Sequence, residues 1–141
     1  MHLCSCGSNN CLQNLHMHEN EISSKIIASS IEIHKKYGPG LLESFYEDCL
    51  YNNLINKGLT VERQKKISID PIGNFKSKSF RIDLLVESKV IIEIKAISSY
   101  ANVHSAQVLT YLKITNLKLG LLINFNKARV VDGIKRIVNG L

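Results

Sequence analysis

The spacing of apolar residues predicts two helices near the start of the chain. From Glu19 to Tyr37, apolar or small residues recur every three or four positions, and Gly38-Pro39 ends the pattern. A second helix is predicted from about Leu41 to Lys57, with Gly58 as its C-cap. Its predicted inward positions are Leu42, Phe45, Cys49, Leu50 and Leu54.

The middle of the chain carries strand patterns. Two short strands are predicted before Asp70-Pro71, one beginning at Leu59 and Val61 and the other containing Ile67 and Ile69. Residues 80–86 alternate between apolar and mixed positions. Residues 90–97 are nearly continuous in β-branched side chains, as expected for a central strand buried on both faces.

The last third predicts a helix over residues 102–115, a strand over 118–125 and a short terminal helix over 132–138. The resulting order, α-α-β-β-β-β-α-β-α, indicates a mixed α/β fold with one central sheet. We predict a single domain over residues 19–141, preceded by a flexible Cys/His-rich leader over residues 1–18.

Composition narrows the class of protein and its partners. The 141 residues are 45% hydrophobic and 21% charged, which is typical of a soluble globular chain. No apolar run approaches the ~20 residues that span a bilayer, and the N-terminus lacks a secretory signal pattern. We therefore expect a cytoplasmic protein with reduced cysteines and no membrane partner. The net charge of +6 favours a polyanionic partner such as nucleic acid.

The leader contains potential zinc ligands. Its C-x-C-x4-C spacing lacks the C-x2-C pairs that are common in structural zinc sites, so a flexible tail is the favoured interpretation and a zinc site the alternative. The potential ligands are Cys4, Cys6, Cys11, His2, His16 and His18.

Charged residues inside two apolar strands are the main clue to function. Asp83 lies in the first of these strands, and Glu93 and Lys95 lie in the second. Burying an unpartnered charge is costly, so such groups usually pair with each other or hold a metal. Side chains alternate along a strand, so Glu93 and Lys95 share a face.

The hairpin register decides whether Asp83 joins that face. A three-residue loop over 87–89 sets Val86 opposite Val90 and brings Asp83 opposite Glu93, whereas a two-residue loop sends Asp83 to the other side. The chemical interpretation therefore requires an odd-length loop or a bulge.

A carboxylate pair of this kind suits a hard divalent cation such as Mg2+. Beside it, Lys95 could orient or deprotonate an attacking water, or neutralise charge on the phosphate. The alternative is an ordinary salt bridge that joins Asp83 or Glu93 to Lys95 or Arg81.

Two helices add polar candidates. On the third helix His104, Gln107 and Tyr111 share one face, and Gln107 and Tyr111 could bond a phosphate or a water. The alternative is a solvent-facing polar stripe, or a Tyr111 that packs in the core. Glu43, in the first turn of the second helix, is either a further metal or water ligand or a residue that stabilises the helix dipole.

Four segments in order carry a family resemblance. Gly40-Leu41-Leu42-Glu43-Ser44-Phe45-Tyr46 resembles the G-x-x-E-x-x-Y signature of the small bacterial GxxExxY proteins. Residues 80–86 and Glu93-Ile94-Lys95-Ala96 resemble the core of the PD-(D/E)xK nuclease superfamily, although Ile82 stands where a proline often precedes the aspartate. Residues 107–111 match the Q-x-x-x-Y pattern of RecB-like members, and the likeness runs from about residue 19 to 141.

The resemblance implies a restriction-endonuclease-like α/β core, with a mixed central β-sheet flanked by α-helices. It implies that Asp83, Glu93 and the main-chain carbonyl of Ile94 bind Mg2+, with Mn2+ as a substitute. By the same resemblance, Lys95 positions the water and Glu43 is an accessory acid, while Gln107 and Tyr111 orient the substrate or the water.

We therefore expect a Mg2+-dependent nuclease that hydrolyses phosphodiester bonds in nucleic acid, with DNA favoured. The alternatives are a catalytically silent nuclease-fold module that binds nucleic acid or a partner protein, and a structural protein with a salt-bridge network. A homodimer with two sites on opposite strands fits the small size of the chain. The sequence leaves DNA against RNA, and single against double strand, undecided.

Overall fold

A computed structural model describes residues 17–141, which form three α-helices and five β-strands. No helix in this range is long and apolar enough to cross a membrane. In chain order the elements are α1 (Glu19–Tyr37), α2 (Glu43–Asn56), β1 (Val61–Ile69), β2 (Lys78–Val86), β3 (Val90–Lys95), α3 (Asn102–Thr115), β4 (Leu119–Asn124), a 3-10 turn (Val130–Gly133) and β5 (Ile134–Val138).

The five strands form one mixed sheet in the order β1-β2-β3-β4-β5. β3 and β4 are parallel, and the other neighbouring pairs are antiparallel. Parallel neighbours need a crossover connection, which α3 provides on one face of the sheet, while α1 and α2 cover the other. The predicted mixed α/β fold with one central sheet is confirmed.

Two apolar cores hold the layers together. The larger core joins α1 and α2 to side chains on one face of the sheet, including Leu84 and Ile92. The smaller core joins Val108 and Leu112 of α3 to the opposite face, including Ile91. Every residue of β4 is buried, and so is all of β3 except Lys95, because both strands are covered on both faces.

Two predicted elements differ from the structure. The two short strands predicted before Asp70 are one continuous strand, β1, which pairs with β2 along most of its length. The terminal helix predicted over 132–138 is wrong, because Ile134–Val138 is strand β5, antiparallel to β4. Ile134 packs against the larger core and Ile137 against the smaller, as alternation along a strand requires.

The leader falls mostly outside the described range. Residues 1–16 are not described, so the zinc and flexible-tail interpretations of that segment stay predictions. The last two leader positions belong to the folded part. Met17 is buried in the larger core, and His18 Nδ1 accepts a hydrogen bond of 3.0 Å from the Asn20 N–H at the start of α1.

A short turn between α1 and α2 is held by Tyr46. Its hydroxyl donates to the Gly38 carbonyl at 2.6 Å and accepts from the Leu41 N–H at 3.2 Å. The ring stacks on Phe125 with centroids 4.5 Å apart. Gly40 has a φ of +99°, a backbone conformation that glycine adopts without strain. The turn makes Leu42 the exposed N-cap of α2, so its predicted inward position is wrong.

We expect Tyr46→Phe to lower the free energy of unfolding by about 1 kcal/mol, because both hydrogen bonds in the turn are lost while the buried ring remains. Chemical denaturation of the purified variant measures the change. Tyr51→Phe, on the same helix, is the matched control and should stay within about 0.5 kcal/mol of the wild type. Equal stability of Tyr46→Phe and wild type would contradict this role for the hydroxyl.

Candidate active site

The β2–β3 hairpin has the predicted register. Glu87 and Ser88 adopt left-handed φ values of +53° and +54°, and the Lys89 N–H donates to the Val86 carbonyl at 3.0 Å. Val86 pairs with Val90, and Leu84 pairs with Ile92. The predicted three-residue loop is therefore confirmed, and Asp83 and Glu93 come next along the two strands.

The sheet becomes irregular where Asp83 lies. On the outer side, Gln64 of β1 has a φ of +49° and falls in a gap in the β1–β2 pairing. Along β2, Ile82 packs in the smaller core and Leu84 in the larger one, although regular alternation would place both on one face. The regular alternation of β2 side chains between the two faces of the sheet is thus interrupted at Asp83.

Side chains replace the missing ladder bonds between β2 and β3. The Asp83 N–H donates to Glu93 Oε1 at 3.2 Å, and the Ile94 N–H donates to Asp83 Oδ2 at 2.8 Å. Each carboxylate therefore accepts a main-chain N–H from the opposite strand. The two acids are held beside each other at the point where the strands separate.

This carboxylate pair is reluctant to ionise. Glu93 is only 5% exposed, and burial, followed by the neighbouring Asp83 charge, raises its pKa to about 8. Burial also raises the pKa of Asp83, with a further contribution from the charge of Glu47. Both shifts are opposed by the Lys95 charge. A further positive charge beside the pair would therefore lower both pKa values.

Lys95 lies half-buried at the end of β3, close enough for its charge to act on both carboxyl groups. No ion pair formed within residues 17–141 includes Lys95, so the described structure gives the salt-bridge alternative no close contact.

Buried Asn124 of β4 fixes the chain that follows Lys95. Its Oδ1 accepts from the Ile97 N–H at 3.1 Å, and its Nδ2 donates to the Ile97 carbonyl at 2.8 Å. The sequence analysis did not single out Asn124. Its only signal was a polar residue within an otherwise apolar strand.

The polar residues of α3 reach the site from one side. Gln107 Nε2 donates to the Tyr111 hydroxyl at 2.9 Å, and Tyr111 is 4% exposed. Burial raises the pKa of Tyr111, and the charge of Glu93 contributes next. Tyr111 therefore lies close enough to Glu93 for that charge to act on it, and Gln107 is joined to Tyr111. His104 instead accepts from the Ala101 N–H at 3.0 Å through Nδ1, at the start of the helix.

Helix α2 presents two carboxylates in successive turns. Glu43 is exposed, and its Oε1 accepts from the Ala96 N–H at 3.3 Å, next to Lys95. Glu47 Oε1 accepts from Gln64 Nε2 at 2.7 Å, and the same amide lies 3.4 Å from Asp83 Oδ1. Glu43 therefore lies by the end of β3, whereas Glu47 is linked to the acidic pair.

The sequence analysis missed Glu47 and Gln64. Glu47 could have been found from its position four residues after Glu43, since residues at this spacing share a helix face. Gln64 gave no such signal, because its irregular backbone appears only in the folded sheet. Arg63 pairs with Glu47 at 3.0 Å and also with Asp48.

The carboxylate oxygens of Asp83 and Glu93 suit a cation that keeps most of its bound water molecules. Among residues 17–141 no group of three or more His, Cys, Asp or Glu side chains is arranged to hold a metal. Two carboxylates are nevertheless the usual protein share of an Mg2+ site that also uses waters and substrate phosphates. A divalent cation between Asp83 and Glu93 would also offset the charge repulsion that raises their pKa values.

The raised Glu93 pKa predicts a pH-dependent gain from Glu93→Gln in metal-free buffer. The unfolded chain releases this proton near pH 4.5 but the folded chain only near pH 8, so Glu93 lowers the free energy of unfolding progressively as pH rises between these values. The free energy of unfolding of Glu93→Gln, measured relative to that of wild type, should therefore increase by more than about 1 kcal/mol from pH 5 to pH 8.5.

Chemical denaturation at the two pH values tests this expectation. Glu62→Gln, at an exposed ion pair on β1, is the control and should show no such change. A constant difference between Glu93→Gln and wild type across the pH range would show that Glu93 titrates normally.

Comparison with known proteins places this chain in a family. A family model described as the PD-(D/E)XK nuclease superfamily matches residues 20–137. The solved structure of the protein SSO0001 aligns with a TM-score of 0.54 and 20% identity, covering 70% of this chain and 50% of that one. This chain therefore spans about half the length of SSO0001, and the likeness shows the fold alone. A search of curated proteins found no match.

The fold and the family model agree with each other. The mixed five-stranded sheet flanked by three helices is a restriction-endonuclease-like α/β architecture. The family match covers the hairpin that carries the two acids, the strand end that carries Lys95 and the helix that carries Gln107 and Tyr111. The chain belongs to the PD-(D/E)XK nuclease superfamily.

Proposed function

We propose that this protein is a Mg2+-dependent nuclease that hydrolyses phosphodiester bonds, with DNA as its substrate. One observation carries the proposal. In a chain of a nuclease superfamily, a buried Glu93 and a partly buried Asp83, both with raised pKa values, lie where two strands separate, and the Lys95 charge acts on both. We also assign the chain to the GxxExxY group of that superfamily, with residues 19–141 as its nuclease domain.

In this proposal Asp83, Glu93 and the main-chain carbonyl of Ile94 hold the cation, and Mn2+ substitutes for Mg2+. A bound divalent cation supplies Lewis-acid stabilisation of the phosphate and lowers the pKa of an attacking water. The hydrogen bonds from the Asp83 and Ile94 N–H groups fix the two carboxylates before the cation arrives. This preorganisation reduces the cost of binding.

Lys95 orients the attacking water, and its charge offsets the negative charge that develops on the phosphate. Tyr111, held by Gln107, presents a hydroxyl whose raised pKa keeps it protonated and able to donate to a phosphate oxygen. Glu43, which is exposed and accepts a hydrogen bond from the Ala96 N–H, serves as the accessory acid that binds or orients water.

DNA as the substrate fits the overall charge. The net charge of +6 attracts a polyanion and speeds its encounter with the acidic site. Because the carboxylates repel phosphate, the cation and Lys95 together are needed to reverse the local charge.

We expect Lys95→Ala to lower the cleavage rate by about 100-fold or more while the fold is retained, because the residue acts on the water and the developing charge. The assay incubates labelled linear, nicked, branched and single-stranded DNA and RNA with Mg2+, Mn2+ or EDTA. Lys113→Ala, an exposed position on α3, is the matched control and should cleave like wild type.

One result would overturn the nuclease proposal, and another would overturn the role assigned to Lys95. Absence of cleavage by well-folded wild type on every substrate would leave the catalytically silent binding module as the better interpretation. Undiminished cleavage by Lys95→Ala would show that the lysine has no part in the reaction.

A second prediction concerns metal binding alone. Mg2+ at 100 times its Kd should raise the free energy of unfolding by about 2.7 kcal/mol by mass action, and Asp83→Asn should remove this gain. Thermal denaturation with and without Mg2+ measures it, with Asp70→Asn in the β1–β2 loop as the control. An equal Mg2+ effect on wild type and Asp83→Asn would place the cation elsewhere.

A further inference from the structure

A shallow groove of about 280 Å³ lies between the outer part of the β1–β2 hairpin and helix α3. Its wall is largely apolar, and its inner end is formed by the two polar residues that also belong to the candidate active site. The residues concerned are Ile69, Phe80, Val103 and Ala106 along the wall, and Gln107 and Tyr111 at the inner end.

The groove is therefore continuous with the acidic site. Tyr111 is close enough to Glu93 for that charge to raise its pKa, and its ring centroid lies 6.2 Å from that of Phe80. Phe80 precedes Asp83 by three residues, or about 10 Å along a strand. A group in the groove would thus lie next to a phosphate held at the carboxylates.

The groove leaves an aromatic ring and an aliphatic wall partly open to solvent. Phe80 is 38% exposed and Val103 is 66% exposed. An exposed apolar surface joined to a polar site is typical of a ligand-binding surface. The ring of Phe80 can accept another flat ring against it, because base–aromatic stacking needs only an accessible face.

The charge around the groove selects the kind of ligand. We call residues 65–81 the outer hairpin; it carries five Lys and Arg residues against one carboxylate, Asp70, which accepts a hydrogen bond from Ser77. Lys78 pairs with Ile69 of the groove wall and so lies on the groove's side of the hairpin, whereas Lys66 and Arg81 pair with each other on the opposite side. No ion pair among the described residues includes Lys78 or the neighbouring Lys76.

We infer that this groove binds an unpaired nucleobase against Phe80, while the outer hairpin binds the phosphate backbone of the same strand. This inference rests on the proposed function and narrows its substrate to single-stranded nucleic acid, or to a strand with an unpaired segment. Bases inside a duplex have both faces covered, so entry of a paired base would add the cost of unstacking it.

The test measures binding in EDTA, where no cleavage interferes. Fluorescence anisotropy compares a labelled oligothymidylate with a labelled duplex of equal length. Phe80→Leu keeps an apolar side chain but removes the ring, and it should weaken binding of the single strand about tenfold. Binding of the duplex should change less than about twofold. Phe80→Trp keeps a stacking surface and should bind the single strand like wild type.

A second variant covers the case in which Phe80→Leu fails to fold. Val103→Glu adds a negative charge to the exposed wall of the groove and should also weaken single-strand binding. Ser24→Glu, an exposed position on α1, adds the same charge away from the groove and should have less effect. Phosphate binding is tested by Lys76→Ala with Lys78→Ala, which should reduce the salt dependence of log K by about 1.4.

Parallel cleavage assays in Mg2+ separate this inference from the nuclease proposal. If Phe80→Leu loses single-strand binding and wild type shows no cleavage, the groove assignment stands and the nuclease proposal fails. If wild type cleaves and both Phe80→Leu and Val103→Glu bind the single strand unchanged, the groove assignment fails and the nuclease proposal stands. Equal losses on single strand and duplex, or no binding by wild type, would also overturn the groove assignment.

Discussion

The two hydrogen bonds that join Asp83 to the Glu93 carboxylate and to the Ile94 N–H are the constraint on which the site depends. The main-chain N–H groups of Asp83 and Ile94 bond to carboxylates where a regular sheet would use carbonyls. This arrangement requires the strands to separate at one position while the hairpin beside it stays in register. The two cores hold β2 and β3 on both sides of the gap, so the irregularity stays local.

The same arrangement accounts for the electrostatics. Two acids enclosed by strands and helices lose the solvation that would stabilise their charges, and each also repels the other. Their main-chain hydrogen bonds and Lys95 compensate only in part, because both pKa values remain raised. Selection for stability alone would favour apolar residues in place of Asp83 and Glu93. The unfavourable charge is consistent with a site built for a cation and a phosphate.

Much of this organisation could be predicted from the sequence, because it depends on local patterns. The main helices followed from apolar spacing, and the three-residue loop between Val86 and Val90 followed from the requirement that Asp83 and Glu93 share a face. The terminal strand was missed because the apolar pattern of a seven-residue segment fits a helix as well as a strand. Its pairing with β4 in the folded sheet decides between the two. The link from Glu47 through Gln64 to Asp83 depends on a left-handed residue in β1, which no residue pattern reveals.

The turn held by Tyr46 lies within the G-x-x-E-x-x-Y pattern of residues 40–46, and it affects how that pattern should be used in comparing sequences. Its glycine and its tyrosine shape and anchor the chain before α2, whereas its glutamate alone faces the end of β3. A relative without hydrolytic activity would still gain stability from the first two residues. Survival of the glycine and tyrosine in another chain therefore indicates a shared architecture, and its chemistry must be judged from the strands.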